Sequence, residues 1–174
     1  MAKFSALSLI TVLAVVLAGC GGSSSTPGTE STTTAITSKP DATAGTKFAA
    51  TKISGTGTVL VDAADRTVYV LTSGGKKNLP CTDGNGCTAV WPDLPLPKGM
   101  RAATAGAGVN KSLLGTMKLN GKTYATYNGY LMYAYTGDPG PGQANGQGID
   151  SFGGTWNPIT PAGKPLKSST TYYP

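Results

Sequence analysis

An all-β domain is what the sequence predicts, and three observations carry that expectation. Short runs rich in Val, Thr and Tyr recur between Gly, Asn and Asp; helical periodicity is nearly absent; and 25 glycines and 12 prolines in 174 residues break any long helical window. The expected architecture is a compact antiparallel sandwich or small barrel, built from two duplicated hairpin-plus-loop repeats.

The clearest element is a meander over Lys118–Asp138, which reads MKLNGKTYATYNGYLMYAYTGD from Met117 onward. Asn120-Gly121 and Asn128-Gly129 divide it into three runs. Both central residues of a type I′ turn need positive φ, which Asn and Gly tolerate, so two hairpins follow. In the third run, alternation puts Leu131, Tyr133 and Tyr135 on one face and Tyr130, Met132 and Ala134 on the other.

The duplication rests on matched spacings. Gly57 to Tyr69 has the same Gly-to-Tyr interval as Gly121 to Tyr133, and each interval holds a polar turn between two strand-like runs. Tyr69 and Tyr133 are 64 apart, Trp91 and Trp156 are 65 apart, and Gly99 and Gly163 are 64 apart. Repeat one spans about 55–100 and repeat two about 119–164. Two copies are too few for a solenoid, hence the closed sandwich or barrel. A Trp at matching places in two copies is most simply a plug between sheets, where its burial is worth several kcal/mol.

The N-terminal segment has a different character. Lys3 precedes an uncharged run from Ala6 to Ala18 that ends in Leu17-Ala18-Gly19-Cys20. A basic start, an apolar stretch too short to span comfortably and small residues at the end describe a secretory signal over 1–19. With Cys at the cut, the segment resembles a bacterial lipobox, which implies acylation of Cys20. Several acyl chains, at about 0.8 kcal/mol per buried methylene, hold a protein on a membrane where one does not.

Residues 20–47 hold that lipidated Cys and then a Ser/Thr/Gly/Pro-rich stretch in which Ile36 is the one large apolar residue. Such a segment cannot bury enough surface to offset its ordering entropy, so it reads as a disordered tether with an r.m.s. span of about 25–30 Å. Residues 48–174 then make a single β domain. After cleavage 13 basic residues face 8 acidic ones, a balance of +5, and Lys76-Lys77 is the only adjacent basic pair. Scattered cations exclude a nucleic-acid stripe.

Two further features carry a resemblance. Tyr133-Ala-Tyr135-Thr-Gly-Asp138 fits Tyr-x-aromatic-x-x-Asp, and Cys81, Cys87 and Trp91-Pro92 form a Cys…Cys…Trp-Pro run. With the lipobox and the duplication, the chain is similar to bacterial predicted lipoproteins named for that motif, also called the secreted repeat of unknown function. The resemblance implies a lipoprotein of short β repeats in the cell envelope, on the extracytoplasmic side of the plasma or outer membrane. It implies no established activity. The first copy departs from the motif: Tyr69 is followed by Leu71 at the aromatic position and Gly74 where the Asp belongs. Any function of the Asp therefore falls to the second copy.

Cys81 and Cys87 enclose Thr-Asp-Gly-Asn-Gly, and with Cys20 assigned to lipid they are the two thiols left. In an oxidising compartment they are expected to form a local disulfide, worth about 2–2.5 kcal/mol by loop entropy. The alternative use of the pair is redox or metal handling, with copper(I) held by both thiolates and one of Met100, Met117 or Met132. The spacing is not Cys-x-x-Cys, which weighs against redox exchange. Absence of histidine excludes His-dependent triads, His-ligated haem and the usual zinc sites. Asp83 and Asn85 resemble the opening of a calcium loop without its remaining ligands, so a tight turn is expected there. Ala105–Ser112 lacks the Gly-Lys of a phosphate loop. Asp138 and Asp150 form the least favoured reading, a carboxylate pair of a carbohydrate-active enzyme.

The candidate motif residues are thus Tyr133, Tyr135 and Asp138, with no catalytic residue, metal or cofactor assigned. Tyr133, the residue that recurs as Tyr69, is expected in the core with its hydroxyl bonded to Asp138 or a backbone carbonyl. The competing use of the motif region is a stacking surface made of Tyr124, Tyr127, Tyr130 and Tyr135. The function expected is that of a lipid-anchored, non-enzymatic binding or envelope-structural module. Its partners are membrane lipid through Cys20 and a glycan, peptide or envelope protein.

Overall fold

The computed structural model describes residues 43–167. The signal segment, Cys20 and most of the tether lie outside the described residues. Strands dominate: β1 (Lys47–Ile53), β2 (Gly57–Val61), β3 (Tyr69–Thr72), β4 (Thr104–Ala105), β5 (Leu114–Leu119), β6 (Lys122–Tyr127), β7 (Tyr130–Leu131), β8 (Ile149–Ser151) and β9 (Gly154–Pro158). One turn of helix, α1 (Cys87–Val90), and three short 3-10 turns complete the elements of the described residues.

The strands form three small sheets, ordered β2-β1-β4, β3-β9-β8 and β5-β6-β7. No closed barrel forms among the described residues, which corrects that half of the expectation; strands of two to seven residues are too short to wrap round one another. The meander is as the sequence predicts. β5 and β6 pair antiparallel from Leu114↔Tyr127 to Leu119↔Lys122, and β6 pairs with β7. Asn120 and Asn128 both have φ of 48° and Gly121 and Gly129 both have 76°, the positive pairs that a type I′ turn requires.

Two apolar clusters fill the domain, and strand alternation sorts side chains between them. Val68 and Val70 enter one cluster with Phe48, Leu60 and Tyr127, while Tyr69 and Leu71 enter the other with both tryptophans. The same division recurs along the chain after Asn128-Gly129. Met132 and Ala134 join the first cluster, and Leu131 and Tyr133 the second. The faces read from sequence are therefore right, but both are buried, because this stretch is a wall between two cores rather than the surface of one. The two walls touch where Tyr69 and Tyr133 exchange backbone hydrogen bonds, N–H to O at 2.8 and 3.0 Å.

Local devices set the ends of these walls. Buried Asp62 closes the turn after β2 by accepting from the backbone N–H groups of Ala64 and Arg66 at 2.8 and 3.0 Å. The Arg66 guanidinium reaches the same carboxylate from Nε and a terminal nitrogen at 2.9 and 2.8 Å. A forked, partly buried pair of this kind fixes the turn as well as neutralising the carboxylate.

Candidate functional site

The second cluster is built round an aromatic stack. Trp91 and Trp156, both fully buried, lie parallel with centroids 4.0 Å apart and planes 4° from each other. Tyr135 stacks on the other face of Trp91 at 4.3 Å. Tyr69 meets Trp91 edge-on at 5.4 Å, and Tyr133 meets Trp156 edge-on at 5.2 Å. Tyr69 and Tyr133 thus each pack on the Trp of their own segment, while Tyr135 and the two Trp rings make the contacts across segments. Both tryptophans are core plugs, as the sequence predicts.

Asp138 is placed by a contact that sequence order does not announce. The expected bond to Tyr133 is absent; Tyr69 takes that role, donating its hydroxyl to Asp138 Oδ2 at 2.8 Å. The other carboxylate oxygen accepts the Asn145 N–H at 2.8 Å, and the Gly146 N–H donates back to the Tyr69 hydroxyl at 3.2 Å. This network straps the Gly-rich loop after Asp138 down on Trp91. A Cβ on Gly146 would lie 2.8 Å from the Trp91 ring, so only glycine passes there. Burial raises the Asp138 pKa against the lowering effect of the Tyr69 and Asn145 hydrogen bonds. Burial, followed by the charge of Asp138, drives the Tyr69 pKa well above its ordinary value. With both carboxylate oxygens engaged, Asp138 is a structural clamp.

Tyr124 and Tyr127 do not form the exposed platform that the motif region suggested, since they are 7% and 0% exposed. Tyr127 is turned inward, where its hydroxyl donates to the Pro161 carbonyl at 2.7 Å. Tyr130 and Tyr135 stay half-buried, and Lys77 sits over the Tyr130 ring at 4.4 Å.

The concave site lies beside the disulfide. Cys81 and Cys87 are joined, as the sequence predicts, with Cα atoms 5.0 Å apart. Asn85 locks their loop by accepting from the backbone N–H groups of Thr82 and Cys87, both at 3.1 Å. Between this loop and the β5–β6 hairpin opens a cleft of about 200 Å³, whose polar lining includes Asp83, Asp93, Lys122, Tyr124 and Tyr133. Leu131 and Met132 supply apolar surface.

Asp93 is brought there because Trp91-Pro92 is buried and Asp93 bridges to Tyr133 in an isolated antiparallel pair. Burial first, then the Asp93 charge and hydrogen bond, raise the Tyr124 pKa strongly, with Asp83 adding a smaller push. Burial and then Asp93 raise Tyr133 to about 12. Both phenols are thus held neutral as donors.

The sequence singles out neither aspartate as a ligand-binding residue. Asp83 reads as part of an Asp-Gly-Asn-Gly turn, and Asp93 has no spacing to another acid that signals a site. Asp138 and Asp150 line neither this cleft nor the broader polar groove around Thr72–Gly75 and Lys167. Among the described residues no three of His, Cys, Asp and Glu gather as a metal site would require. What the cleft offers chemically is two carboxylate acceptors and two neutral phenols over an apolar floor, which suits recognition.

The stretch from β5 to the end of β9 holds the Tyr–x–aromatic segment, the strapped loop and Trp156. Residues 117–160 match the family model of a secreted repeat of unknown function. No curated protein and no solved structure matches the chain. The secreted repeat covers Tyr133, Tyr135 and Asp138, and it includes Tyr124 from the cleft. Its remaining partners, Tyr69, Trp91, Asp83 and Asp93, come from outside the matched stretch. A disulfide, which persists in oxidising compartments, agrees with the secreted character of that family.

Proposed function

We propose that the chain is a lipid-anchored, extracytoplasmic module whose β domain binds a small ligand in the cleft beside the disulfide, without catalysing its conversion. The observation that carries the binding reading is the cleft itself, with Asp83, Asp93, Tyr124 and Tyr133 on its wall. Anchoring through Cys20 is supported by the Leu17-Ala18-Gly19-Cys20 segment and by the secreted repeat. The tether stands the domain off the membrane. The motif aspartate serves the fold rather than the ligand, a reading supported by its two occupied oxygens.

A built-in duplication is part of this proposal. Its support is the reciprocal Tyr69–Tyr133 pairing together with the Trp91–Trp156 stack, in which equivalent residues of both copies meet each other. Equivalent residues meeting at a shared centre are what a pseudo-twofold arrangement requires.

Membrane fractionation tests the anchor: the Cys20→Ala chain is expected to leave the membrane fraction, and its retention there overturns anchoring. Amide-shift mapping against soluble fragments of envelope polymers tests the site. Saturable shifts centred on Asp93 and Tyr124 are expected, and shifts confined to the groove near Lys167 overturn the assignment of the cleft.

A further inference from the structure

We propose that the ligand of this cleft is a compact protonated primary amine bearing a neighbouring hydroxyl, as in an amino sugar or an amino-alcohol headgroup. The inference rests on the binding reading above and names the chemistry that the site selects.

Charge is the first argument. Within residues 43–167 there are 12 basic and 6 acidic side chains, so the domain is cationic overall. The cleft inverts that balance, with Asp83 and Asp93 on its lining against Lys122 alone. Neither aspartate is in an ion pair among the described residues, where Arg66 with Asp62 is the pair present. Both carboxylates line the same cleft as Tyr124, and both push its pKa up, Asp93 more than Asp83. A local negative focus on a basic protein attracts a cation and repels the anions that the rest of the surface attracts.

The second argument is an unfilled valence. Tyr133 is 4% exposed and lines the cleft, yet its hydroxyl has no hydrogen-bond partner among the described residues. That hydroxyl opens on the cleft rather than being sealed in the core, and it stays protonated at neutral pH, so it is a donor free to meet an acceptor there. An ammonium group has three donors and no acceptor: it satisfies Asp83 and Asp93 but offers nothing to Tyr133. A hydroxyl beside the amine supplies that acceptor.

Size is the third. About 200 Å³ lies below the range of drug-sized sites, so the bound part is one ring or a short chain. Leu131 and Met132 give its carbon skeleton an apolar floor.

The test uses the mature chain from Cys20 in detergent micelles, isotopically labelled, with glucosamine, ethanolamine and glucose as probes. Glucosamine or ethanolamine is expected to shift the amides of Thr82, Asp93 and Tyr124 saturably, at least tenfold tighter than glucose. Whichever amine binds tighter identifies a sugar or a headgroup as the source. Asp93→Asn is expected to weaken the amine at least tenfold, with Asp83→Asn as the second variant if the first disturbs amide dispersion. Tyr133→Phe is expected to remove the preference for ethanolamine over ethylamine. Equal binding of glucose and glucosamine overturns the charge assignment while leaving a binding cleft. No shift in the cleft with any probe overturns this inference and the binding reading together.

Discussion

The hydroxyl of Tyr69 donates to Asp138 across a sequence separation of 69, at 2.8 Å. The motif aspartate therefore completes a tyrosine of the other segment, not the Tyr133 with which it is read in sequence. Tyr69→Phe leaves one carboxylate oxygen and the Gly146 N–H short of a partner, and should cost about 1–3 kcal/mol. Denaturant melts of Tyr69→Phe, Asp138→Ala and the double variant check this. Coupling of at least about 0.5 kcal/mol is expected for residues in one network, and strict additivity would count against the clamp.

Stability should respond to pH in an unusual direction at this clamp. Burial raises Asp138 above the ordinary carboxyl value of 3.8, so between those two values the folded chain holds the proton that the unfolded chain has released. Its contribution to stability accordingly grows as pH falls through that window. Asp138→Asn should remove this part of the pH profile, as followed by melting temperature from pH 7 to 4.

At the alkaline end the sign places the loss above pH 10. Tyr133 ionises at about 12 when folded, whereas an unfolded Tyr does so near 10. Tyr69 and Tyr124 are raised as well, both chiefly by burial. Their stabilisation is complete below the unfolded value and is lost as pH rises through the folded ones. Absorbance at 295 nm should show these three phenols silent until the chain unfolds; phenolate that forms before unfolding in the wild-type chain and is lost in Tyr133→Phe would contradict it.

Gly146→Ala puts a methyl group 2.8 Å from the Trp91 ring and 2.9 Å from Tyr69. Ring and backbone must move apart, at a cost of about 1–3 kcal/mol. Near-UV circular dichroism and amide exchange of Asn145 should register the lifted strap, while exchange in the β5–β6 hairpin stays unchanged.

Reducing the Cys81–Cys87 bond removes a loop constraint worth about 2–2.5 kcal/mol. Cleft binding should weaken with it, because the loop carrying Asp83 lies between the two cysteines. Melting curves with and without reductant, and ligand titration of Cys81→Ser/Cys87→Ser, measure both effects.

Local chemistry is what the sequence expresses. The Asn-Gly turns need two adjacent residues, the disulfide needs a short spacing, and alternation along 130–135 needs only the strand period. Partners set by the packing of distant segments are not written that way. Tyr69 reaches Asp138, and Asp93 reaches Tyr124, only after three sheets have docked, and no spacing encodes that docking. The competing reading, a stacking surface of tyrosines, loses Tyr124 and Tyr127 for a related reason: alternation tells which residues share a face, but not that these two have a core on each side.

The stacked indoles give the protein an optical signature of its own assembly. Two transition dipoles held 4.0 Å apart in nearly parallel planes couple only when the segment after α1 and the last strand have come together. Circular dichroism in the indole bands therefore reports, without any label, the moment at which the segment beside the disulfide and the last strand become one body.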